Sequence, residues 1–452
     1  MQWSKYNLLF RSEKYGYLLY NTLTNVFVEI DRGTYREVEK IRQSPETYDF
    51  TSAPALYLQL LTAKMLVEPR EEATLLNVIK LQRMGRNFFE TVLNLTIVPT
   101  LACNFNCPYC YESHRRPAHI TEQMETKIIE FVRRFKAVRV LSLTWYGGEP
   151  LLRFETIRRL TEQIQTLDLR FHAKLITNGY LLNDEVIAQL DALKITSIQV
   201  TLDGPEDVHN VRRPLASGGK TYRRIMTNLE NLLATSWKGR VEIRINVDAT
   251  NHAQYAALYY KLLEQFPDKN LLIYPGIVSD SQAGNPDIHC QFTKDEEARF
   301  LIELYKAYGI DNLLWYYPRN SFGCLATSRN GFVIGPEGEV YKCWYDVGDP
   351  KMVVGSIYDE QSWNVNMIAN YMMGTNPFDD PVCQECFYLP VCDGGCAHFR
   401  LLNNYYGGHF NTCAKFKHAL PEFLEIYYEL KQKHAKNNSK DKKEEEGLAN
   451  NA

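Results

Sequence analysis

The most constraining feature of the sequence is a cysteine triplet in a Cys-x3-Cys-x2-Cys spacing, formed by Cys103, Cys107 and Cys110. Residues 92–98, just before it, are a β-branched and aliphatic run, which predicts a buried strand with the cysteines on the loop that leaves it. Three thiolates on one loop can hold three corners of a cubane iron–sulfur cluster, with the fourth iron open to a small molecule. A zinc knuckle or three unrelated buried thiols would fit the triplet too, so motifs elsewhere must discriminate.

Composition limits the classes of protein and of partner. Of the 452 residues, 23% are charged and the formal net charge is -3, which argues against a nucleic acid as partner. No apolar run approaches the roughly 20 residues of a membrane span, and the N-terminus lacks the features of a secretory signal. The sequence therefore predicts a cytoplasmic protein without a membrane or nucleic-acid partner. Its 11 cysteines lie mostly in two groups, which in a reducing compartment indicates metal rather than disulfides.

Residues 1–75 are predicted to be a separate unit. Three strand-like runs, with a turn at residues 21–25, are followed by two helical patterns. This order resembles the winged-helix, PqqD-like domain of ribosomal peptide-maturing systems, in which a leader peptide adds as a strand to an exposed sheet edge. The resemblance is one of pattern alone, and a packing cap without a binding role would fit it as well. Residues 76–92 are predicted to be a linker.

Strand and helix patterns alternate from residue 93 to residue 310. Six apolar runs, the second ending near Trp145 and the fourth near Asp203, are separated by helical patterns. Such alternation predicts an α/β fold with a mainly parallel sheet and helices outside it.

Two motifs accompany the cysteine triplet. Tyr109 precedes the third cysteine, and Gly147-Gly148-Glu149-Pro150 follows the second predicted strand. Together with the triplet they resemble the radical S-adenosylmethionine (SAM) superfamily, whose open iron chelates SAM and whose cluster cleaves it reductively to a 5'-deoxyadenosyl radical. The resemblance implies a partial (β/α)6 TIM-type barrel, with its ligands at the C-terminal ends of the strands.

The resemblance also implies which residues contact SAM. Small residues let the backbone of the Gly-Gly-Glu-Pro motif approach the SAM amino group, and Arg244 is placed to pair with the carboxylate. Asn178 with Gly179 is also an ordinary turn, and Arg244 could simply be a half-buried strand residue. No catalytic acid or base stands out. The predicted SAM contacts are Tyr109, Gly147, Gly148, Glu149, Pro150, Asn178, Thr201, Asp203 and Arg244.

Residues 311–431 contain seven cysteines at fixed spacings, including a Gly-x4-Cys and a Cys-x2-Cys-x5-Cys-x3-Cys run. This pattern resembles the SPASM domain of radical SAM enzymes, and the segment 201–205 with His209 and Arg212 resembles the same auxiliary-cluster branch, although His209 could be an ordinary loop histidine. A zinc ribbon is the alternative, since Cys-x2-Cys pairs also suit tetrahedral zinc. The resemblance assigns Cys383, Cys386, Cys392 and Cys413 to one auxiliary [4Fe-4S] cluster, and Cys324, Cys343 and Cys396 to the other.

The fourth ligand of the second auxiliary cluster stays open. Cys290 could serve if the chain folds back, or the iron could be open to a substrate thiolate, or Cys290 could be a buried core residue. Three [4Fe-4S] clusters and SAM are therefore the expected cofactors. Residues 432–452 are charged and are predicted to be a disordered tail.

The resemblance as a whole implies a peptide maturase. Such an enzyme would abstract hydrogen from a ribosomally made precursor peptide and install a thioether, ether or carbon–carbon crosslink. The N-terminal unit would bind the leader, and a flavodoxin- or ferredoxin-type protein would donate electrons. Peptide epimerisation would need the same parts. A non-catalytic iron–sulfur or zinc protein that binds peptides would need neither the intact triplet nor the Gly-Gly-Glu-Pro motif.

The main rival within the superfamily is an anaerobic sulfatase-maturing enzyme, which oxidises a cysteine or serine to formylglycine. Those enzymes begin almost directly at the cluster, without a long N-terminal unit. They also place a catalytic aspartate just after the Gly-x4-Cys cysteine, whereas Trp344 follows Cys343 in this chain. Asp346 is near enough in sequence to keep this alternative open.

Overall fold

Three sheets organise the part of the chain that the structure describes. They are a two-stranded pair, a three-stranded antiparallel sheet and a nine-stranded, mainly parallel sheet. No helix within the described ranges combines the length and apolar character that crossing a membrane requires. The computed structural model describes residues 1–112, 116–267, 269–278, 291–320 and 323–449, with the side chains of the last helix described as far as His434.

The N-terminal unit is an antiparallel sheet packed against two helices. The register aligns Leu9 with Leu19 and Leu19 with Val28, and Leu19 packs with Val38 and Ile41 of the first helix in a small core. The strands and helices predicted before residue 75 are thus present. They are β1 (Gln2–Trp3), β2 (Asn7–Ser12), β3 (Gly16–Asn21), β4 (Val26–Ile30), α1 (Arg32–Gln43), α2 (Pro54–Thr62) and β5 (Leu66–Val67), which pairs with β1.

The predicted linker is instead largely a helix, α3 (Glu71–Asn87). Its residues are mostly strong helix formers, and two glutamates in its first turn favour the positive end of the helix dipole. Glu71 pairs with Lys64 at 2.7 Å, which ties the start of the helix to the N-terminal unit. The segment is therefore helical, and its role as a linker between two units stays a prediction.

The central sheet begins with six parallel strands in the order β11-β10-β9-β8-β7-β6, which confirms the predicted α/β fold. Side chains alternate across each strand, so that Leu141, Leu143 and Trp145 of one strand are buried in the core. The strands are β6 (Val92–Ile97), β7 (Val140–Trp145), β8 (Arg170–Thr177), β9 (Ile195–Leu202), β10 (Arg240–Val247) and β11 (Leu271–Ile277). The helices between and after them are α4 (Glu122–Arg133), α5 (Phe154–Gln165), α6 (Asp184–Ile187), α7 (Glu206–Arg212), α8 (Tyr222–Ala234), α9 (Tyr255–Gln265), α10 (Lys294–Lys306) and α11 (Leu313–Tyr316).

The C-terminal segment extends this same sheet. Strand β12 (Gly331–Ile334) pairs in parallel with β6, aligning Val333 with Thr96. Strands β13 (Glu339–Tyr341) and β14 (Gly355–Ser356) then continue the sheet in antiparallel fashion. All four residues of β12 are buried, and their pairing covers a strand edge of β6 that would otherwise be open. The linear strand order is that of an incompletely closed sheet.

Short helices and turns follow the sheet, and a long helix ends the described chain. The last helix packs Leu420 and Leu424 against Tyr20 of the N-terminal sheet. It continues through most of the predicted disordered tail, because the lysines and glutamates that predict solvation also have high helix propensity. These helices are α12 (Val365–Ala369), α13 (Pro381–Gln384), α14 (Ala397–Tyr405) and α15 (Leu420–Ala449).

Candidate active site

The cysteine triplet lies on the loop after β6, at the C-terminal end of that strand. The Cys110 N–H donates to the Cys107 carbonyl at 3.1 Å, and the Phe105 N–H donates to the Cys103 sulfur at 3.4 Å. Phe105 also forms a β-bridge with Leu215, which anchors the loop to the segment after α7. The loop is therefore held in a turn that gathers the three thiols.

The glycines of the Gly-Gly-Glu-Pro motif allow the exit of β7 to lie against the cysteine loop. A Cβ on Gly148 would lie 2.3 Å from the Ala102 carbonyl oxygen, and one on Gly147, whose φ is +135°, would lie 2.5 Å from that of Thr100. The Gly148 and Glu149 N–H groups donate to these same two carbonyls, at 3.1 and 2.9 Å. The motif is thus joined to the loop by backbone hydrogen bonds.

Glu149 holds two strand ends together. One carboxylate oxygen accepts the Leu151 N–H and the Thr177 hydroxyl, and the other accepts the Asn178 N–H at 2.7 Å. Burial raises the pKa of this carboxyl, while the three hydrogen bonds stabilise its charged form. Because both of its oxygens are engaged, this side chain serves to hold the strand ends. Pro150 begins the buried turn that follows.

Asn178 lies beside the first cysteine. Its amide nitrogen donates to Asn104 Oδ1 at 2.7 Å and is 4.0 Å from the Cys103 sulfur. Thr201 and Arg244 lie opposite each other on β9 and β10. Arg244 Nε donates to Asn246 at 2.9 Å. A Cβ on Gly276 would lie 2.3 Å from Arg244 Nε, so the glycine makes room for the guanidinium.

Tyr109 is fixed by residues that the sequence analysis did not select. Its hydroxyl accepts hydrogen bonds from Arg213 Nη1 at 2.7 Å and from Asn246 Nδ2 at 3.2 Å. The Arg212 guanidinium lies 5.0 Å from the centre of its ring. Adjacent arginines just after the fourth strand unit are a sequence signal that could have drawn attention to this role.

Asp203 belongs to a buried ion-pair network. Arg212 Nε lies 3.2 Å from Asp203 Oδ2, and its Nη2 lies 2.8 Å from Asp248 Oδ2. The Asp203 N–H donates to His209 Nδ1, and burial with the two neighbouring arginines holds the pKa of His209 well below its usual range. His209 is therefore a neutral, structural residue in this network.

The thiols of Cys103, Cys107 and Cys110 are suited to binding a metal centre that carries positive charge. Burial raises the pKa of Cys103 to about 12 and that of Cys110 to about 11, so both thiols are neutral at pH 7 without a metal. A thiolate is the species that binds iron, so ligation would have to release these protons. Three sulfurs on one loop fit a cluster that supplies the compensating positive charge.

Six of the seven C-terminal cysteines lie near other members of their predicted sets. Cys343 interacts electrostatically with Cys396 and Cys324, and Cys392 interacts with Cys383 and Cys386. The Cys396 sulfur accepts the backbone N–H groups of the first turn of α14, and the Cys392 sulfur accepts the Gly394 N–H at 3.3 Å. The chain just before Cys413 packs against Gly395, where a Cβ would lie 2.2 Å from the Thr412 carbonyl oxygen. Cys290 lies outside the described residues.

Asp346 is buried beside Cys343. Its carboxylate accepts the Tyr371 hydroxyl at 2.8 Å and lies 3.0 Å from His398 Nδ1. Ligand atoms of Cys343, Asp346 and His398 all lie within 4.8 Å of one another. Burial raises the pKa of this carboxyl. His398 could have been suspected from its place two residues after Cys396, whereas no sequence signal marks Tyr371.

Two aromatic contacts join the auxiliary segment to the SAM motifs. Trp344 stacks on Tyr146, which precedes Gly147, with ring centres 4.9 Å apart. Tyr345 lies 4.7 Å from Tyr111, which follows Cys110. The two residues after Cys343 therefore pack against the residues that flank the two SAM motifs.

A cavity of about 340 Å³ lies between the inner face of the sheet and Cys324. Four small polar side chains on β6 and β7 line it, and Trp344 bounds it while donating from Nε1 to Thr96 at 2.9 Å. The cavity places polar residues of β6 and β7 beside Cys324 of the second cysteine region. The strand residues are Asn94, Thr96, Ser142 and Thr144.

Comparisons with known proteins agree with this geometry. Residues 97–248 match the family model of the Radical SAM superfamily. The chain is 24% identical over 377 residues to a cysteine-type anaerobic sulfatase-maturating enzyme of Clostridium perfringens, an alignment that covers 75% of this chain and 99% of that protein.

Two solved structures share the fold. One is native anSMEcpe with bound AdoMet and Cp18Cys peptide, with a TM-score of 0.58, 20% identity, and coverage of 75% of this chain and 99% of that one. The other is Streptococcus suis SuiB bound to the precursor peptide SuiA, with a TM-score of 0.53, 15% identity, and coverage of 91% of this chain and 99% of that one.

Gly148→Ala should separate the two loops that gather the triplet. Its Cβ would overlap backbone, which cannot give way as a flexible side chain can, so we expect a loss of about 1–3 kcal/mol in stability and weaker retention of iron. Urea unfolding and iron analysis measure both. Gly85→Ala is the control, because nothing lies within 4 Å of a Cβ there. Equal behaviour of the two variants would contradict the packing role.

Proposed function

Because residues 97–248 form a radical SAM domain, we propose that this chain is a cytoplasmic peptide maturase that installs a crosslink in a ribosomally made precursor peptide. The observation that carries the proposal is the direct packing between the two cysteine regions. Trp344 and Tyr345 pack against Tyr146 and Tyr111, and a polar cavity lined by β6 and β7 lies beside Cys324.

The sets of cysteine ligands fit three [4Fe-4S] clusters, one at the triplet and two among the C-terminal cysteines. When bound, the first cluster and SAM supply a 5'-deoxyadenosyl radical that abstracts hydrogen from a substrate carbon. Arg213 and Asn246 hold Tyr109, and Asn104 and Asn178 line the loop around Cys103. The protein's contribution is to orient the reactants and to exclude water.

The auxiliary cysteines support a crosslinking outcome. Forming a new bond from a carbon radical requires the loss of one more electron, and clusters near the polar cavity are suitable acceptors. A flavodoxin- or ferredoxin-type protein is the proposed source of the reducing electron. Cys324 lines the cavity, so a cluster with an open iron there could also hold a substrate sulfur.

The N-terminal sheet supports leader binding. Strand β4 lies at one edge of that sheet, paired only with β3 among the described residues, and Val28 and Glu29 are exposed. An extended peptide could add to this edge through backbone hydrogen bonds. The SuiB structure, which was solved with its precursor peptide, covers 91% of this chain and supports the same assignment.

The proposal predicts the iron content of the anaerobically reconstituted protein. Three cubanes correspond to about 12 irons per chain. The triple variant of Cys103, Cys107 and Cys110 to alanine should lose about four of them and all SAM cleavage. Cys383→Ala with Cys386→Ala should lose about four while the first cluster still cleaves SAM. Cys290→Ala tests the open question of the fourth ligand, because loss of iron in this variant would assign Cys290 to the cluster of Cys324, Cys343 and Cys396. About four irons in the wild-type protein would contradict the proposal.

The reaction itself is tested with a small precursor peptide encoded beside this chain. Incubation with SAM and a reductant should release 5'-deoxyadenosine and remove about two hydrogens from the peptide, the balance expected for one new bond. Fragmentation should confine the loss to one pair of residues. Deoxyadenosine release with an unchanged peptide mass, and exchange at one α-carbon in deuterated water, would instead establish an epimerase.

A second candidate is formylglycine formation, which the buried Asp346 beside Cys343 favours. Both of its oxygens, however, accept the Tyr371 hydroxyl, and the residue is fully buried, so its geometry suits a structural role. We therefore expect no formylglycine in sulfatase-derived peptides that contain cysteine or serine. Formylglycine made by the wild-type protein and lost in Asp346→Asn, but retained in Tyr371→Phe, would establish this rival.

A further inference from the structure

Arg83 on α3 is a buried cation with incomplete hydrogen bonding. Only 8% of the residue is exposed. Nη2 donates to the Asp393 carbonyl at 3.1 Å, but Nη1 lies 3.7 Å from Asp393 Oδ1 and has no hydrogen-bond acceptor among the described residues. A buried guanidinium stays charged, so a lone donor in the interior leaves a desolvation cost unmet. A hydrogen-bond acceptor beside Nη1 would remove this cost.

The surroundings of Arg83 identify that group. Arg83 lines a cavity of about 310 Å³ with Cys324 and with Gly395 and Ala397, the two neighbours of Cys396. That volume is roughly ten times the share of one water molecule in the liquid. The cavity therefore has room for a group held by these cysteines.

Arg83 also lies between the two auxiliary cysteine sets. Burial lowers its pKa, and the Asp393 carboxylate with the Cys392 and Cys324 thiols opposes that shift. Cys392 is assigned to one cluster and Cys324 to the other. The second buried arginine of the region, Arg400, lies 3.7 Å from Cys383 and pairs with Asp380, so it serves one set alone.

We propose that Arg83 is a positioning residue that sets the reduction potentials of both auxiliary clusters, with its free Nη1 donating to the cluster held by Cys324, Cys343 and Cys396. The inference rests on the proposed function, because it requires clusters at these cysteines. Reduction adds one negative charge to a cluster, and a nearby buried cation stabilises that charge by Coulomb attraction. Arg83 therefore makes both clusters easier to reduce, and the effect is larger at Cys324.

The helix that carries Arg83 links this site to the N-terminal unit. Glu71 and Glu72, in its first turn, bind Lys64 and the Lys5 N–H at 2.7 and 2.8 Å. About three turns later the same helix supplies Arg83. The auxiliary site is therefore completed by a residue that lies outside both the radical SAM domain and the cysteine-rich segment.

A potentiometric titration followed by EPR tests the proposal in the full-length, iron-loaded protein. Arg83→Gln should lower the equilibrium constant for reducing the Cys324 cluster at least tenfold, which is about 59 mV for one electron, with a smaller decrease for the other cluster. Lys80→Met is the matched control, since Lys80 lies on the same helix but pairs with Asp379 at the surface. It should leave both potentials unchanged.

Arg83→Lys keeps the positive charge and is the second variant, which tests the proposal even if Arg83→Gln does not fold. It should retain all iron and shift the potential of the Cys324 cluster by less than Arg83→Gln does, because lysine keeps the positive charge but lacks the planar fork of N–H donors of arginine. In wild-type protein labelled with ¹⁵N-arginine, pulsed EPR of the reduced cluster should show a nitrogen coupling that Arg83→Lys removes.

The outcomes separate the two proposals. Full iron content with unchanged potentials and no nitrogen coupling would overturn the role of Arg83 and leave the proposed function standing. Absence of iron at the C-terminal cysteines of the wild-type protein would overturn both.

Discussion

The structure depends on the backbone contact between the cysteine loop and the exit of β7. Two N–H groups of the Gly-Gly-Glu-Pro motif donate to carbonyls of residues 100 and 102, at a separation that only glycine permits. This contact fixes the triplet relative to the sheet. Glu149 extends it to the next strand end, because one buried carboxylate accepts donors from both neighbouring loops. These hydrogen bonds thus join the C-terminal ends of β6, β7 and β8.

The second cysteine region is positioned by the same sheet. Strand β12 pairs with β6, so the segment that carries Cys324 and Cys343 is held in register with the strand that delivers the triplet. Trp344 and Tyr345 then pack onto the SAM motifs from the other side. Backbone pairing and aromatic packing act together, so the two cysteine regions are held in a fixed relation to each other rather than by loop position alone.

Buried charge is concentrated around the two cysteine regions. Near the triplet, Arg212 joins Asp203 to Asp248, and Arg213 binds Tyr109. Near the auxiliary cysteines, two arginines lie beside thiols. Groups of this kind are costly to bury alone, so each is either paired or adjacent to a site where a negative group would bind. These buried charged side chains therefore point to a functional role of the two cysteine regions, and they are not evidence of a more stable fold.

The sequence by itself determined the alternating parallel sheet and the triplet at a strand end, because these follow from periodicity and short spacings. The division of the C-terminal cysteines into two sets is what the family resemblance implies, and it stays a prediction. Tertiary structure alone decided which side chains surround the cysteines. Arg213, Tyr371 and Arg83 reach their partners across 25 or more residues of chain, and no local pattern encodes such distances. The tertiary structure also determined that most of the expected linker is helical, as part of α3, and that β12 pairs with β6. Long-range pairing is set by which surfaces can be buried together, and a single sequence does not display that choice.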